Sequence, residues 1–193
     1  MSKCIIGVDI DLTVAQIDDL WYDWLVRMTG YDPMIDVSYD MLEDSQHLLE
    51  YNLSTYWKEQ LEERGIDGLE FFRGTHLYDM VDPVHESPKY INELYEEGYD
   101  IVFISALKGH HHRSKYEFLG RHFNFDGFIG TKEKQYINCD IMIDDRNNFL
   151  NLSRADVKIK IFTPYTQDVG LENDVKLCHN WEEIYNYIKE LEL

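Results

Sequence analysis

Three short apolar runs in this chain each break off at an acidic or hydroxyl-bearing residue. Lys3-Cys4-Ile5-Ile6-Gly7-Val8 stops at Asp9 and continues Ile10-Asp11-Leu12-Thr13; Ile101-Val102-Phe103-Ile104 stops at Ser105; Ile141-Met142-Ile143 stops at Asp144-Asp145. None of the three alternates apolar with polar residues, which is the pattern of strands covered on both faces in a parallel sheet. A fourth run, Val157-Lys158-Ile159-Lys160-Ile161-Phe162, does alternate and reads as a strand nearer an edge. Helical patterns lie between the runs, over 89–97 closed by Gly98, over 113–122, and over 181–191 behind Asn180 as a cap. Strands alternating with helices predict an α/β fold built on a doubly wound, mostly parallel sheet. In such sheets the ligand lies beyond the carboxyl ends of the strands, so Asp9, Asp11, Ser105, Asp144 and Asp145 are expected to converge.

Residues 15–80 interrupt this rhythm. Ile17, Leu20, Trp21, Trp24, Leu25 and Met28 fall at helical spacing, a second helical pattern covers 51–63, and Gly65 and Gly68 mark turns. The expected organisation is a catalytic core from residues 1–14 and 81–193, with a small helical cap subdomain, 15–80, inserted after the first strand. No internal repeat or low-complexity segment stands out.

Charge narrows the partners. The chain has 193 residues and carries 18 Lys and Arg against 37 Asp and Glu, a formal charge of −19. Binding a polynucleotide depends on neutralising phosphates with basic side chains, so a long nucleic acid is not an expected ligand, whereas one small phosphate remains compatible. A hydrophobic content of 44% suits a packed core, not a disordered chain. No apolar run approaches the ~18 residues of a membrane span, and Met1-Ser2-Lys3 leads straight into a strand pattern, so a cytoplasmic protein without membrane contact is expected. Cys4, Cys139 and Cys178 lie in apolar segments without a C-x-x-C pair and read as reduced thiols. A homodimer is compatible with all of this.

Four carboxylates gathered in one cleft repel one another unless a cation sits among them. Oxygen ligands alone favour a hard cation, Mg²⁺ first, which takes its remaining ligands from water and a substrate phosphate. Asp9 and Asp11 are two residues apart and would share a side of an extended segment. Such a pair can divide labour, one carboxylate attacking phosphorus while the other protonates the leaving oxygen and later activates water. Lys134 and Ser105 are candidates for the positive charge and hydroxyl that a phosphoryl group needs. Lys132 competes with Lys134; three consecutive histidines, His110 to His112, cannot all face one point and read as solvated side chains at a loop or helix start, close enough after Ser105 for one to reach the rim of the phosphate site.

In order and character, Asp-x-Asp-x-Thr at 9–13, Ser105, Lys134 and Asp144-Asp145 resemble the four motifs of the haloacid dehalogenase-like (HAD) phosphohydrolases, and the insertion resembles that superfamily's helical cap. Within it, Ser105-Ala106-Leu107-Lys108, Ser114-Lys115-Tyr116 and Cys139-Asp140-Ile141-Met142-Ile143-Asp144-Asp145-Arg146 are most similar to stretches of the 5′(3′)-deoxyribonucleotidases. The resemblance implies a HAD-like Rossmannoid core, Asp9 as nucleophile and Asp11 as general acid/base. It implies a Mg²⁺ site from Asp9, the Asp11 carbonyl and Asp145 supported by Asp144, and Lys134 offsetting charge between nucleophile and phosphate. Thr13, Ser105 and Ala106 fall with the substrate-binding stretches. Leu12 stands where the family has Gly, and Ile104 where it has Thr.

The implied reaction is hydrolysis of a small phosphate monoester, a deoxyribonucleoside 5′- or 3′-monophosphate in the leading reading. A sugar or amino-alcohol phosphate, or a catalytically idle module that keeps the fold, are the alternatives. Trp21, Trp24, Phe71 and Phe72 form an aromatic set in the insertion that serves either as cap core or as a stacking face for a nucleobase. Phe71-Phe72 is the stacking candidate, since the family has an aromatic run near that point; Tyr165 and Arg146 are further rim candidates.

Overall fold

In the computed structural model the apolar runs become adjacent strands of one parallel sheet. Residues 4–35, 48–107, 109–167 and 169–191 are described; Lys108 of the Ser105–Lys108 stretch lies outside them. Strands β1 (Ile5–Val8), β2 (Asp100–Ser105), β3 (Gly127–Gly130), β4 (Ile141–Asp144), β5 (Val157–Ile161) and β6 (Val175–Cys178) are ordered β3-β2-β1-β4-β5-β6, each pair parallel. The chain starts in the middle and winds outward both ways, the doubly wound arrangement. The helices are α1 (Ile17–Thr29), α2 (Lys58–Arg64), α3 (Ser87–Glu96), α4 (His112–His122), α5 (Asn147–Leu152) and α6 (Trp181–Glu190).

Strand side chains alternate between two cores. Ile6, Val8, Ile101, Phe103, Ile141, Ile143, Ile159 and Ile161 face one side, where Ile91 and Leu94 of α3, Phe118 and Leu119 of α4, and Trp181, Ile184 and Ile188 of α6 cover them. Ile104 and Met142 face the other side with Cys139, Leu150 and Ala155. Packing there is tight enough that a Cβ on Gly7 would meet Ile104 Cδ1 at 2.8 Å. Asn180 caps α6, its Oδ1 accepting the Glu183 N–H at 2.9 Å.

Between β1 and α3 the chain leaves the sheet. Its outgoing and returning ends pair at Ala15 and Pro83, with Val84 N–H donating to Val14 carbonyl and Gln16 N–H to Asp82 carbonyl. Inside this excursion α1 ends at Gly30 in the left-handed region, as a helix C-terminus favours. The pattern over 51–63 resolves into a 3₁₀ segment, Leu53–Trp57, followed by α2. Tryptophan Trp57 is fully buried and its indole N–H donates to Tyr31 carbonyl at 2.7 Å. Phe71 and Phe72 sit in a short 3₁₀ turn, Glu70–Arg73. Strands β3 and β6 and helix α5 are four, four and six residues long. Too short to show a period, they are elements the sequence pattern does not predict.

Candidate active site

Strands β2, β1 and β4 lie side by side, and their ends bring the polar residues together. Val8 pairs with Phe103 on one side and Ile143 on the other, so Asp9 is level with Asp144, and Ser105 lies one residue further along β2. The ladder runs one step past β1, with Asp9 N–H donating to Ile143 carbonyl at 2.9 Å. Carboxylate oxygens of Asp9, Asp144 and Asp145 lie within 4.8 Å of one another, all three residues buried. Lys134 is also buried and its ammonium reaches Asp9 Oδ1 and Asp144 Oδ2, each at 2.6 Å. Lys132, by contrast, is exposed.

Asp11 is oriented elsewhere. Its Oδ1 accepts the Tyr78 hydroxyl at 2.5 Å and its Oδ2 the Lys115 ammonium at 2.6 Å. The same ammonium donates to Ser105 Oγ at 2.7 Å. The site therefore has two cationic poles: Lys134 between Asp9 and Asp144, and Lys115 between Asp11 and Ser105.

The electrostatics follow from burial. Asp9 is pushed up to about 6, by burial first and by Asp144 and Asp11, against the opposing pull of Lys134. Asp145 is raised well above the ordinary carboxylate range by burial and by Asp144 and Asp9. Burial works to raise Asp11 too, but Lys115 and the Tyr78 hydrogen bond outweigh it and hold it below its usual value. Burial works to lower Lys134, and Asp144 and Asp9 overcome it and hold the ammonium above the usual lysine range. Asp145 Oδ2 is buried and makes no hydrogen bond among the described residues, while its carbonyl accepts from the buried Lys160 ammonium. An orphaned carboxylate oxygen beside two other carboxylates fits a hard divalent cation, and a purely oxygen donor set fits Mg²⁺.

This asymmetry sets a pH dependence for the metal-free protein. Asp9 binds its proton more tightly folded than unfolded, so its favourable contribution is fully present below about pH 4 and is lost as pH rises through about 6; Asp145 continues the trend upward. In chelator, the melting temperature should rise on going from about pH 7.5 to about pH 5.5, and saturating Mg²⁺ should remove most of that difference. A chelated protein that loses stability over the same interval would contradict the arrangement.

Other expected residues are placed differently. Thr13 is fully buried; its carbonyl accepts the Trp181 indole N–H at 3.0 Å, and its Oγ1 finds no partner among the described residues. Ala106 is exposed just past β2. Leu12, where the family has Gly, is held at φ 63°, keeping the turn at roughly 1–2 kcal/mol of backbone strain. Phe71 and Phe72 are half-buried and pack edge-on to each other (5.0 Å between centroids); Phe72 also meets Trp21 edge-on at 4.8 Å and Phe71 is tilted against Trp24 at 6.0 Å, so the four rings form one partly exposed cluster. Tyr165 is buried and donates to Asp18 Oδ2 at 2.7 Å, an internal tether instead of a rim. Arg146 stacks over Tyr51 at 4.5 Å, and the Tyr51 phenol is raised by burial and by Asp145. His110 meets Phe72 carbonyl at 3.2 Å, His111 is buried against Tyr78, and His112 packs on Phe128. Among the described residues the only cluster arranged for a metal is the aspartate one.

Two residues the sequence reading gives no role, Lys115 and Tyr78, hold Asp11. The signal for Lys115 was its phase: it shares the buried face of α4 with Ser114, Phe118 and Leu119. Tyr78 carries no comparable signal, being a lone aromatic in a 3₁₀ turn, Leu77–Asp79.

A strand-end aspartate, a lysine beside it and an acidic pair at the end of the neighbouring strand, at the edge of a 3-2-1-4-5-6 sheet, define a HAD-like hydrolase fold. Solved structures agree on the fold: a haloacid dehalogenase-like family hydrolase of Xanthomonas campestris (TM-score 0.55, 15% identity, 98% of this chain and 96% of that one) and the magnesium-bound HAD-hydrolase YfnB of Bacillus subtilis (0.60, 13%, 98% and 100%). Residues 3–192 match the family described as 5′ nucleotidase, deoxy (pyrimidine), cytosolic type C protein, and the chain belongs to that family of nucleotidases. A nucleotidase of Clostridium acetobutylicum is 31% identical over 68 residues; the match spans 33% of this chain and 35% of that relative. Among the described residues no helix is long and apolar enough to cross a membrane.

Proposed function

We propose that this chain is a Mg²⁺-dependent phosphomonoesterase that works through an aspartyl phosphate on Asp9 and acts on deoxyribonucleoside 5′- or 3′-monophosphates. The observation that carries the reaction type is the pair of separated carboxylates: Asp9 tied to Lys134, Asp11 tied to Tyr78 and Lys115. As the Lys115 ammonium turns from Asp11 Oδ2 to the substrate phosphate, Oδ2 takes up a proton from solvent; an Asp9 oxygen then attacks phosphorus as the ester P–O bond breaks, and Asp11 passes that proton to the leaving oxygen. Asp11 then takes a proton from water as that water attacks the phosphorus, and the Asp9–phosphorus bond breaks to release inorganic phosphate. Lys134 holds Asp9 in place and offsets its charge against the substrate's, while Lys115 and Ser105 lie where equatorial phosphoryl oxygens need donors. Asp9, Asp144 and Asp145, with the Asp11 carbonyl, would hold Mg²⁺, which supplies charge neutralisation for the phosphoryl group.

Residues 15–80 serve in this reading as the cap, and the pairing of Ala15 with Pro83 and a second link, Leu49 to Tyr165, support it by tying the insertion to the core. The family description and the clostridial nucleotidase support a nucleotide substrate, and the family's cytosolic type supports a cytoplasmic setting. Phosphate release tests the proposal, measured with Mg²⁺ and with chelator on deoxyribonucleotides, ribonucleotides, sugar phosphates and amino-alcohol phosphates. Deoxyribonucleotides should be hydrolysed fastest and only with the metal. Faster turnover of a sugar phosphate would overturn the substrate, and no turnover of any ester would overturn the activity.

A further inference from the structure

Asp11 is a carboxylate of the site that is fixed from the side of the inserted segment. Tyr78, in the turn that returns from the insertion to the sheet, donates its hydroxyl to Asp11 Oδ1 at 2.5 Å. The tyrosine is itself immobilised. It is 1% exposed, its carbonyl accepts Arg121 Nη2 at 2.8 Å from α4, and its ring meets His111 at 5.7 Å and Phe118 at 6.3 Å. The Lys115 ammonium, on the other carboxylate oxygen, lies 4.8 Å from the same ring.

The two holders differ. Lys115 is shared with Ser105, where the reading above puts the phosphoryl oxygens, so an incoming phosphate dianion competes for it. The Tyr78 hydroxyl is committed to Asp11, and only it keeps the carboxyl aimed once Lys115 turns to phosphate. We infer that Tyr78 is a positioning residue for proton transfer: its hydroxyl fixes the Asp11 carboxyl toward the leaving oxygen and ties that aim to the docking of the 77–79 turn on α4. This rests on the reading of Asp11 as general acid/base.

Leaving-group dependence tests it, because a poor alkoxide leaving group needs a positioned proton and p-nitrophenolate does not. The readout is kcat/KM, which covers the steps up to formation of the aspartyl phosphate. Tyr78→Phe should lower kcat/KM about 10- to 100-fold on the alkyl phosphate that the wild type turns over best, and less than about threefold on p-nitrophenyl phosphate. The ratio of the two, taken on one preparation, is insensitive to the fraction of protein that folds. Asp11→Asn should show the same selective loss, and adding Tyr78→Phe to it should cost little more. Equal loss on both esters, no loss on either, or full additivity with Asp11→Asn would overturn the inference alone. A wild type that releases no phosphate from any ester would overturn it together with the reading beneath it.

Discussion

Asp9→Asn is expected to lower kcat/KM for phosphate release by at least about 10⁴-fold, roughly 5.5 kcal/mol of transition-state stabilisation, without unfolding the protein. The amide has the carboxylate's shape but is a far poorer nucleophile, and it removes one of three acidic groups whose oxygens lie within 4.8 Å. Lys134 keeps its second contact, to Asp144 at 2.6 Å, so the ammonium is not stranded. Metal-free Asp9→Asn should therefore melt no lower than the wild type, and its gain from added Mg²⁺ should be smaller. Steady-state kinetics and paired thermal melts separate the two effects. A variant that keeps a tenth or more of wild-type activity would remove Asp9 from the chemistry.

Lys134→Met should act on stability at least as much as on rate. Its side chain is 2% exposed and touches Asp9, 8% exposed, and Asp144, fully buried. Removing one partner of a buried ionic group leaves uncompensated charge, at a cost of about 3–5 kcal/mol. For a chain of this length that corresponds to a melting temperature roughly 6–20 °C lower in chelator. Mg²⁺ should recover part of the loss by occupying the same acidic cluster, so denaturation with and without the metal is the measurement to make. A metal-free Lys134→Met protein as stable as the wild type would show that the aspartates do not depend on the ammonium.

How much of this was readable in sequence depends on where the relevant interaction is encoded. Asp9, Ser105 and Asp144 were legible as a group because unbroken apolar runs mark doubly covered strands, and the parallel fold turns every such run's end toward one edge. Lys134 was legible only through its motif spacing, since a lysine in a short 3₁₀ turn has no local reason to be buried. Lys160 misleads by alternation: Val-Lys-Ile-Lys-Ile suggests a wet face, yet its ammonium is drawn inward to the Asp145 carbonyl. Strands β3 and β6 escaped because four residues at a sheet's edges, glycine at both ends of one and exposed side chains along the other, carry no period. Phe71 and Phe72 show the converse limit. Their composition fits a stacking platform and a packed interior equally, and the structure places them half-buried beside Trp21 and Trp24, a contact the sequence does not encode locally. Tyr78 lies 67 residues from the carboxylate it holds and Lys115 lies 104. Both contacts belong to the tertiary fold.

The central claim is that phosphate passes through Asp9. Rapid acid quench of the enzyme turning over a deoxyribonucleoside monophosphate, followed by peptide mass analysis, tests it most directly. The account predicts a phosphoryl adduct on Asp9 that appears only with Mg²⁺ and is absent from Asp9→Asn. Steady turnover with no adduct, or with the adduct on another residue, would contradict it.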